Sequence, residues 1–187
     1  MDTETPVESW LVQIDETQNE TLRIPLFDVN IRLFKENESY RDVIRHVMHH
    51  MEEALCESYT NYPDLKGISG ANVGIPFNIV ATYYHNRVEF YINPSYKKSN
   101  TEESPRRIRS NCGSLRLTNE VWIDRHATIE LSYYDKEGEL QEATFSGAEA
   151  RTIQHEVDHN DGILITSPCR KGKIEHTVQN DPEFMFS

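Results

Sequence analysis

The stretch Gln154-His155-Glu156-Val157-Asp158-His159 sets two imidazoles four residues apart, with a carboxylate beside the first. On an α-helix, positions i and i+4 lie on one face, so both rings can reach a single ion. The glutamate then sits where it can take a proton from a water that the ion has made acidic. This is the pattern of a metal-dependent hydrolase. It calls for a third protein ligand, because catalytic sites of the zinc type hold their ion with three side chains and leave one position open.

Downstream of the motif the candidates are Glu175 and His176, in a polar tail. Upstream, Cys112 stands in the turn-like stretch Ser110-Asn111-Cys112-Gly113-Ser114. A thiolate beside two imidazoles suits a soft or borderline ion, which makes Cys112 the favoured third ligand. Cys56, inside an apolar helix pattern, and Cys169, in the tail, read as non-ligands. The chain also carries an internal control. His46 and His50 share the spacing of four, but no carboxylate stands beside either in the hydrolase position, and with His49 they flank an apolar stripe. They read as surface or half-buried histidines.

Several elements must position these groups. Ser146 with Glu149 three residues on has the form of a capping box, Ala150 to His159 contain no Gly or Pro, and Asn160-Asp161-Gly162 supplies a stop. The motif therefore lies on a helix of about four turns. A second helix is expected at 40–57, after possible short strands at Trp10–Ile14 and Val29–Phe34. The stretch Tyr59–Gly74 reads as loop. Asn78–Tyr84 and Val88–Asn93 read as paired strands across His85-Asn86-Arg87, the second ended by Asn93-Pro94-Ser95. A strand starts at Val121–Ile123. Thr128–Tyr134 and Glu139–Phe145 flank a hairpin turn, and Gly162–Thr166 reads as a short apolar strand. The expected class is α+β: antiparallel β-sheets packed around a central motif-bearing α-helix, in a single domain over 1–187 with a polar tail at 168–187.

Composition narrows the partners. With 31 acidic and 19 basic side chains the net charge is −12, which disfavours nucleic-acid binding. No apolar run reaches membrane-spanning length, so no membrane partner is expected. The start Met1-Asp2-Thr3-Glu4-Thr5 is not signal-like, and three cysteines at irregular spacing fit a reducing compartment. A cytoplasmic monomer is expected, or an organellar one if a presequence has been trimmed. Lys97, Lys98, Arg106, Arg107 and Arg109 form a local basic cluster, read as a solvated loop.

Three stretches in this order resemble the peptide deformylase family. Gly67-Ile68-Ser69-Gly70-Ala71-Asn72-Val73-Gly74-Ile75 is similar to its Gly-rich loop G-I-G-L-A-A-P-Q-V-G, Asn111-Cys112-Gly113-Ser114 to its E-G-C-L-S, and Gln154 to His159 to its Q-H-E-x-D-H. Ile92-Asn93-Pro94 resembles its I-N-P, Tyr133 to Gly138 its Y-x-D-x-x-G hairpin, and Glu20 to Arg23 its P-x-L-R start. The resemblance spans roughly 20–167. It implies that Cys112, His155 and His159 bind one divalent ion, Fe(II) in the cell with zinc, nickel or cobalt as substitutes. It implies that Glu156 is the general base, and that Asn72 and the backbone N–H of Gly113 donate to the oxyanion. Gly67 and Ile68 would pair with an extended peptide, and Ile108, Ala148 and Thr152 would line its side-chain pocket. The implied reaction is hydrolysis of the formyl group from formylated peptide N-termini, releasing formate. The alternatives are a deformylase-like peptide-binding module and an H-E-x-x-H peptidase with a downstream ligand.

The departures from the family pattern are informative. Asn72 stands for Gln, Ser110 for Glu, Gly113 for Leu, Ala148 for Leu, Thr152 for Val or Cys, and Asn160 for Leu. They imply a roomier, more polar pocket than one tuned for methionine, and an altered activity.

Overall fold

The strands of one sheet hold the motif helix, and each element follows from local chemistry. The computed structural model describes residues 21–99, 105–112 and 120–167. The expected strand at Trp10–Ile14, Gly113, Cys169, Glu175, His176 and the polar tail lie outside them. A short 3₁₀ turn, Thr21–Arg23, is followed by α1 (Ile31–Glu36) and α2 (Glu38–Asn61). The strands are β1 (Gly67–Ser69), β2 (Ile79–Tyr84), β3 (Arg87–Lys98), β4 (Arg106–Ser110), β5 (Val121–Arg125), β6 (Thr128–Tyr134) and β7 (Leu140–Ser146). Helix α3, Gly147–Asn160, carries the motif.

Five strands form an antiparallel sheet in the order β1-β2-β3-β6-β7, and β4 pairs with β5 in a separate two-stranded ribbon. Alternation along β2 explains why helices cover both faces of the large sheet. Ile79 and Ala81 face α2, packing with Ile44, Met48, Met51 and Leu55. Val80 faces the other way and packs with Ala150, Ile153 and Val157 of α3. The expected α+β arrangement of antiparallel sheets around the motif helix is what the structure has.

Several local expectations are corrected. Val29–Phe34 is not a strand. The Asn30 side chain accepts a hydrogen bond from Leu33 N at 3.0 Å and starts α1, which buries Phe34 while Leu33 stays exposed. Tyr59–Gly74 is not all loop: α2 runs on to Asn61, then come β1 and a 3₁₀ turn at Gly70–Val73. Asn93-Pro94 does not end β3. Asn93 takes φ 51° and the register against β6 shifts between Ile92 and Ser95, so the pair forms a bulge that the strand passes through. The Asn93 amide is anchored across to Val29, accepting from its N at 2.8 Å and donating to its O at 2.9 Å. The β2–β3 turn has two residues, His85 and Asn86, both with positive φ, as a type I′ turn requires. Gly162–Thr166 forms turns, and its apolar side chains Leu164 and Ile165 are buried in a cluster with Cys112.

Candidate active site

Helix α3 ends where the sequence says it should, and that end fixes the imidazoles. Gly162 adopts φ 73°. Its N–H donates to His159 O at 3.0 Å, and Ile163 N–H donates to Asp158 O at 2.8 Å. This is the paired bonding of a Schellman cap. The start differs from expectation. Ser146 is the N-cap residue, but its side chain makes no capping bond, and Gly147 sits at φ 63°. Glu149 lies instead 3.8 Å from His85 Nε2.

Buried polar groups lock the helix in place. Gln154 clasps the backbone of His126, accepting from its N at 3.0 Å and donating to its O at 2.8 Å. Asn160 donates to Asn78 Oδ1 and Ile79 O, both at 3.0 Å, tying α3 to β2. Asp158 is held by Arg125 from β5 and accepts from Tyr96 OH at 3.3 Å. Arg125 is 2% exposed, so this is an ion pair in the interior. Sequence reasoning passed over Arg125 and Tyr96, since no spacing links an arginine on a strand to an aspartate 33 residues on.

With the helix fixed, Cys112, His155 and His159 converge. Cys112 Sγ lies 3.3 Å from His159 Nε2, which lies 3.2 Å from His155 Nε2, and all three donor atoms fall within 4.8 Å of one another. Tetrahedral bonding at about 2.05 Å to nitrogen and 2.3 Å to sulfur would place the donors about 3.3–3.6 Å apart. These separations therefore fit a single ion. His159 and Cys112 are 1% and 2% exposed, while His155 is half-buried, which leaves the site open on the His155 side. Burial pushes the His159 pKa down to about 4, so the ring is neutral and ready to bind metal at neutral pH. Asn111 Oδ1 accepts from Cys112 N at 2.8 Å and fixes the approach of the cysteine. His46 and His50, the control pair, stack on each other on the outer face of α2, away from any such group among the described residues.

Glu156 lies at the same place, buried, with Oε2 lacking a hydrogen-bond partner among the described residues. Burial pushes its carboxyl up to about 8; Arg125 draws it down and Asp158 up, by less. Strand β1 presses against it. A Cβ at Gly67 would stand 2.5 Å from Thr152 Cγ2 and 2.9 Å from Glu156 Cγ, so only glycine lets strand and helix approach this closely. β1 is the edge of the large sheet, with Ile68 buried against α2. The next turn carries Asn72, whose Oδ1 accepts from Ser69 N at 2.8 Å and Ser69 Oγ at 2.6 Å. Its neighbour Ala71 packs in the same cluster as Cys112, so the turn lies on the side of that cysteine. Ile108 joins that cluster, Thr152 Oγ1 is 2.9 Å from Tyr84 OH, and Ala148 is exposed at the start of α3.

The family model described as polypeptide deformylase matches residues 12–174. A peptide deformylase of Streptococcus pyogenes serotype M18 is 23% identical over 161 residues, covering 79% of each chain. Among solved structures, an actinonin-bound class I type b peptide deformylase from Acinetobacter baumannii superposes with a TM-score of 0.65 at 21% identity, covering 82% of this chain and 94% of that one. The Thermotoga maritima peptide deformylase gives 0.59 at 28% identity, covering 78% and 88%.

Proposed function

The chain belongs to the polypeptide deformylase family, and on that footing we propose that it hydrolyses the N-formyl group of formylated peptide N-termini, releasing formate. The observation that carries this reading is the convergence of Cys112, His155 and His159 beside buried Glu156. A divalent ion held by those three side chains, with Fe(II) our choice for the cell, would supply positive charge to acidify a water and polarise the formyl carbonyl. Glu156 takes the proton from the attacking water and passes it to the departing amine nitrogen. Its burial suits both halves of that task, because a carboxyl with a raised pKa holds a proton as readily as it accepts one near neutral pH. The peptide adds as a strand beside β1 at Gly67 and Ile68, an arrangement supported by the edge position of β1 in the sheet and its contact with Glu156. Asn72 Nδ2 donates to the developing oxyanion. The bonds of Oδ1 to Ser69 make Nδ2 the donor face of that amide. The N–H of Gly113 is the second donor, and each such donor contributes roughly 3 kcal/mol.

The test is formate release from formyl-Met-Ala-Ser by protein loaded anaerobically with iron or nickel, with metal content measured alongside. Glu156→Gln is expected to retain its metal and lose activity by ~10²-fold or more. Full activity in that variant would remove Glu156 from the mechanism. Metal retained in full by Cys112→Ala would remove the proposed ligand set.

A further inference from the structure

The face of α3 that brings His155 to the metal cluster does not stop there. Residues four and seven positions before it, Arg151 and Ala148, lie on the same stripe of the helix, and Thr152 lies beside them. His155 and Thr152 are half-buried, whereas Ala148 and Arg151 are exposed, so the stripe is an open wall running outward from the ligand cluster. The wall is polar where it faces the sheet, because the Thr152 hydroxyl is 2.9 Å from that of Tyr84. It is also cationic. Arg151 makes no ion pair among the described residues, and the Tyr84 hydroxyl feels the charge of Glu149 and, more weakly, that of Arg151.

The acids nearby are turned elsewhere. Asp158 is held by Arg125. Glu149 lies 3.8 Å from His85 Nε2, a partner of its own beside Tyr84. Arg151 has no acid three or four residues away on its own helix, so nothing there draws its guanidinium back along α3. In a chain with a net charge of −12, an unengaged arginine beside a candidate catalytic cluster is a local exception to the prevailing field. One helical turn, about 5.4 Å, separates Arg151 from His155. That is the scale of one residue's reach beyond a formyl carbon held at the cluster.

We propose that Arg151 is the specificity residue of this site and that it binds a carboxylate on the residue bearing the formyl group. The inference rests on the formyl-amide reading above and names its preferred substrates. The carboxylate has two possible sources, an acidic first side chain or the α-carboxylate of a formyl-amino acid. A guanidinium engages either through paired N–H donors, which lysine does not reproduce.

The experiment compares formate release from formyl-Glu-Ala-Ser, formyl-Gln-Ala-Ser, formyl-Met-Ala-Ser, and formyl-Met as free acid and as amide. Wild type, Arg151→Leu and Arg151→Lys are used, all nickel-loaded. Calorimetric binding of the unformylated peptides Glu-Ala-Ser and Gln-Ala-Ser is measured in parallel. Wild type is expected to favour Glu over Gln by about tenfold or more, in kcat/KM and in affinity. Arg151→Leu is expected to erase that ratio, and Arg151→Lys to keep part of it. A tenfold preference for formyl-Met acid over its amide, lost in Arg151→Leu, would identify the α-carboxylate as the partner instead. Acid and neutral ligands treated alike by wild type and Arg151→Leu, in both turnover and binding, would overturn the proposal. Arg151-dependent binding of Glu-Ala-Ser without formate release from any substrate would uphold it and sink the hydrolase reading instead.

Discussion

His159 and Glu156 are neighbours in one buried site, yet burial drives their proton affinities in opposite directions. His159 falls from 6.5 to about 4, and Glu156 rises from 4.5 to about 8. In metal-free protein the two affect stability with opposite signs. The His159 contribution is present above pH 6.5 and is lost as pH falls toward 4. The Glu156 contribution is present below pH 4.5 and is lost as pH rises toward 8. Between 4.5 and 6.5 the slopes oppose each other; above 6.5 only the glutamate term remains. Metal-free protein is therefore expected to lose about 2 kcal/mol between pH 6.5 and 8, at roughly 1.4 kcal/mol per pH unit. Urea unfolding across that range, with Glu156→Gln as the control that should show no such loss, checks it. Both groups stand out in the sequence as candidates for a role. Their proton affinities were not, because these are set by what packs around them.

At the scale of elements, α3 owes its position to partners that its own sequence does not reveal. Arg125 reaches Asp158 from β5 in the interior. Removing one member of a buried ion pair leaves the other charge stranded, so Arg125→Ala is expected to cost about 3–5 kcal/mol, read from the urea midpoint. Gly67 is the second control point, where β1 touches α3. Gly67→Ala would drive a methyl into Thr152 and Glu156. It is expected to lower formate release while leaving metal content unchanged, with a stability loss of about 1–3 kcal/mol from overpacking. Thr152→Ser, which removes the nearest methyl, should restore part of both. Elements with their own local signals were read correctly, among them α3 with its glycine stop and the β6–β7 hairpin. Val29–Phe34 was misread because its alternating Val, Ile and Leu mimic a strand, whereas the Asn30 cap and the burial of Phe34 decide for helix.

For the whole molecule, three packed clusters build the core. One joins α2 to the sheet, one joins α3 to its other face, and one surrounds Cys112 with Leu22, Leu164 and Ile165. A metal bridging Cys112 to α3 would cross-link the third cluster to the second and stabilise the fold by mass action. At a metal concentration 100 times its Kd the gain is about 2.7 kcal/mol, a rise in Tm of roughly 5–10 °C for a chain of this size. Thermal melts with and without nickel should show that rise in wild type and not in Cys112→Ala. The sequence itself singled out the paired histidines, the adjacent carboxylate and the cysteine as candidates, because helix periodicity and ligand chemistry are local facts. Tertiary structure decided the rest. It brought Cys112 within 3.3 Å of an imidazole 47 residues away, stripped water from Glu156 and His159, and left Arg151 on an open wall beside them. Distance, burial and neighbouring charge depend on which distant segments pack together, and spacing along the chain does not encode that.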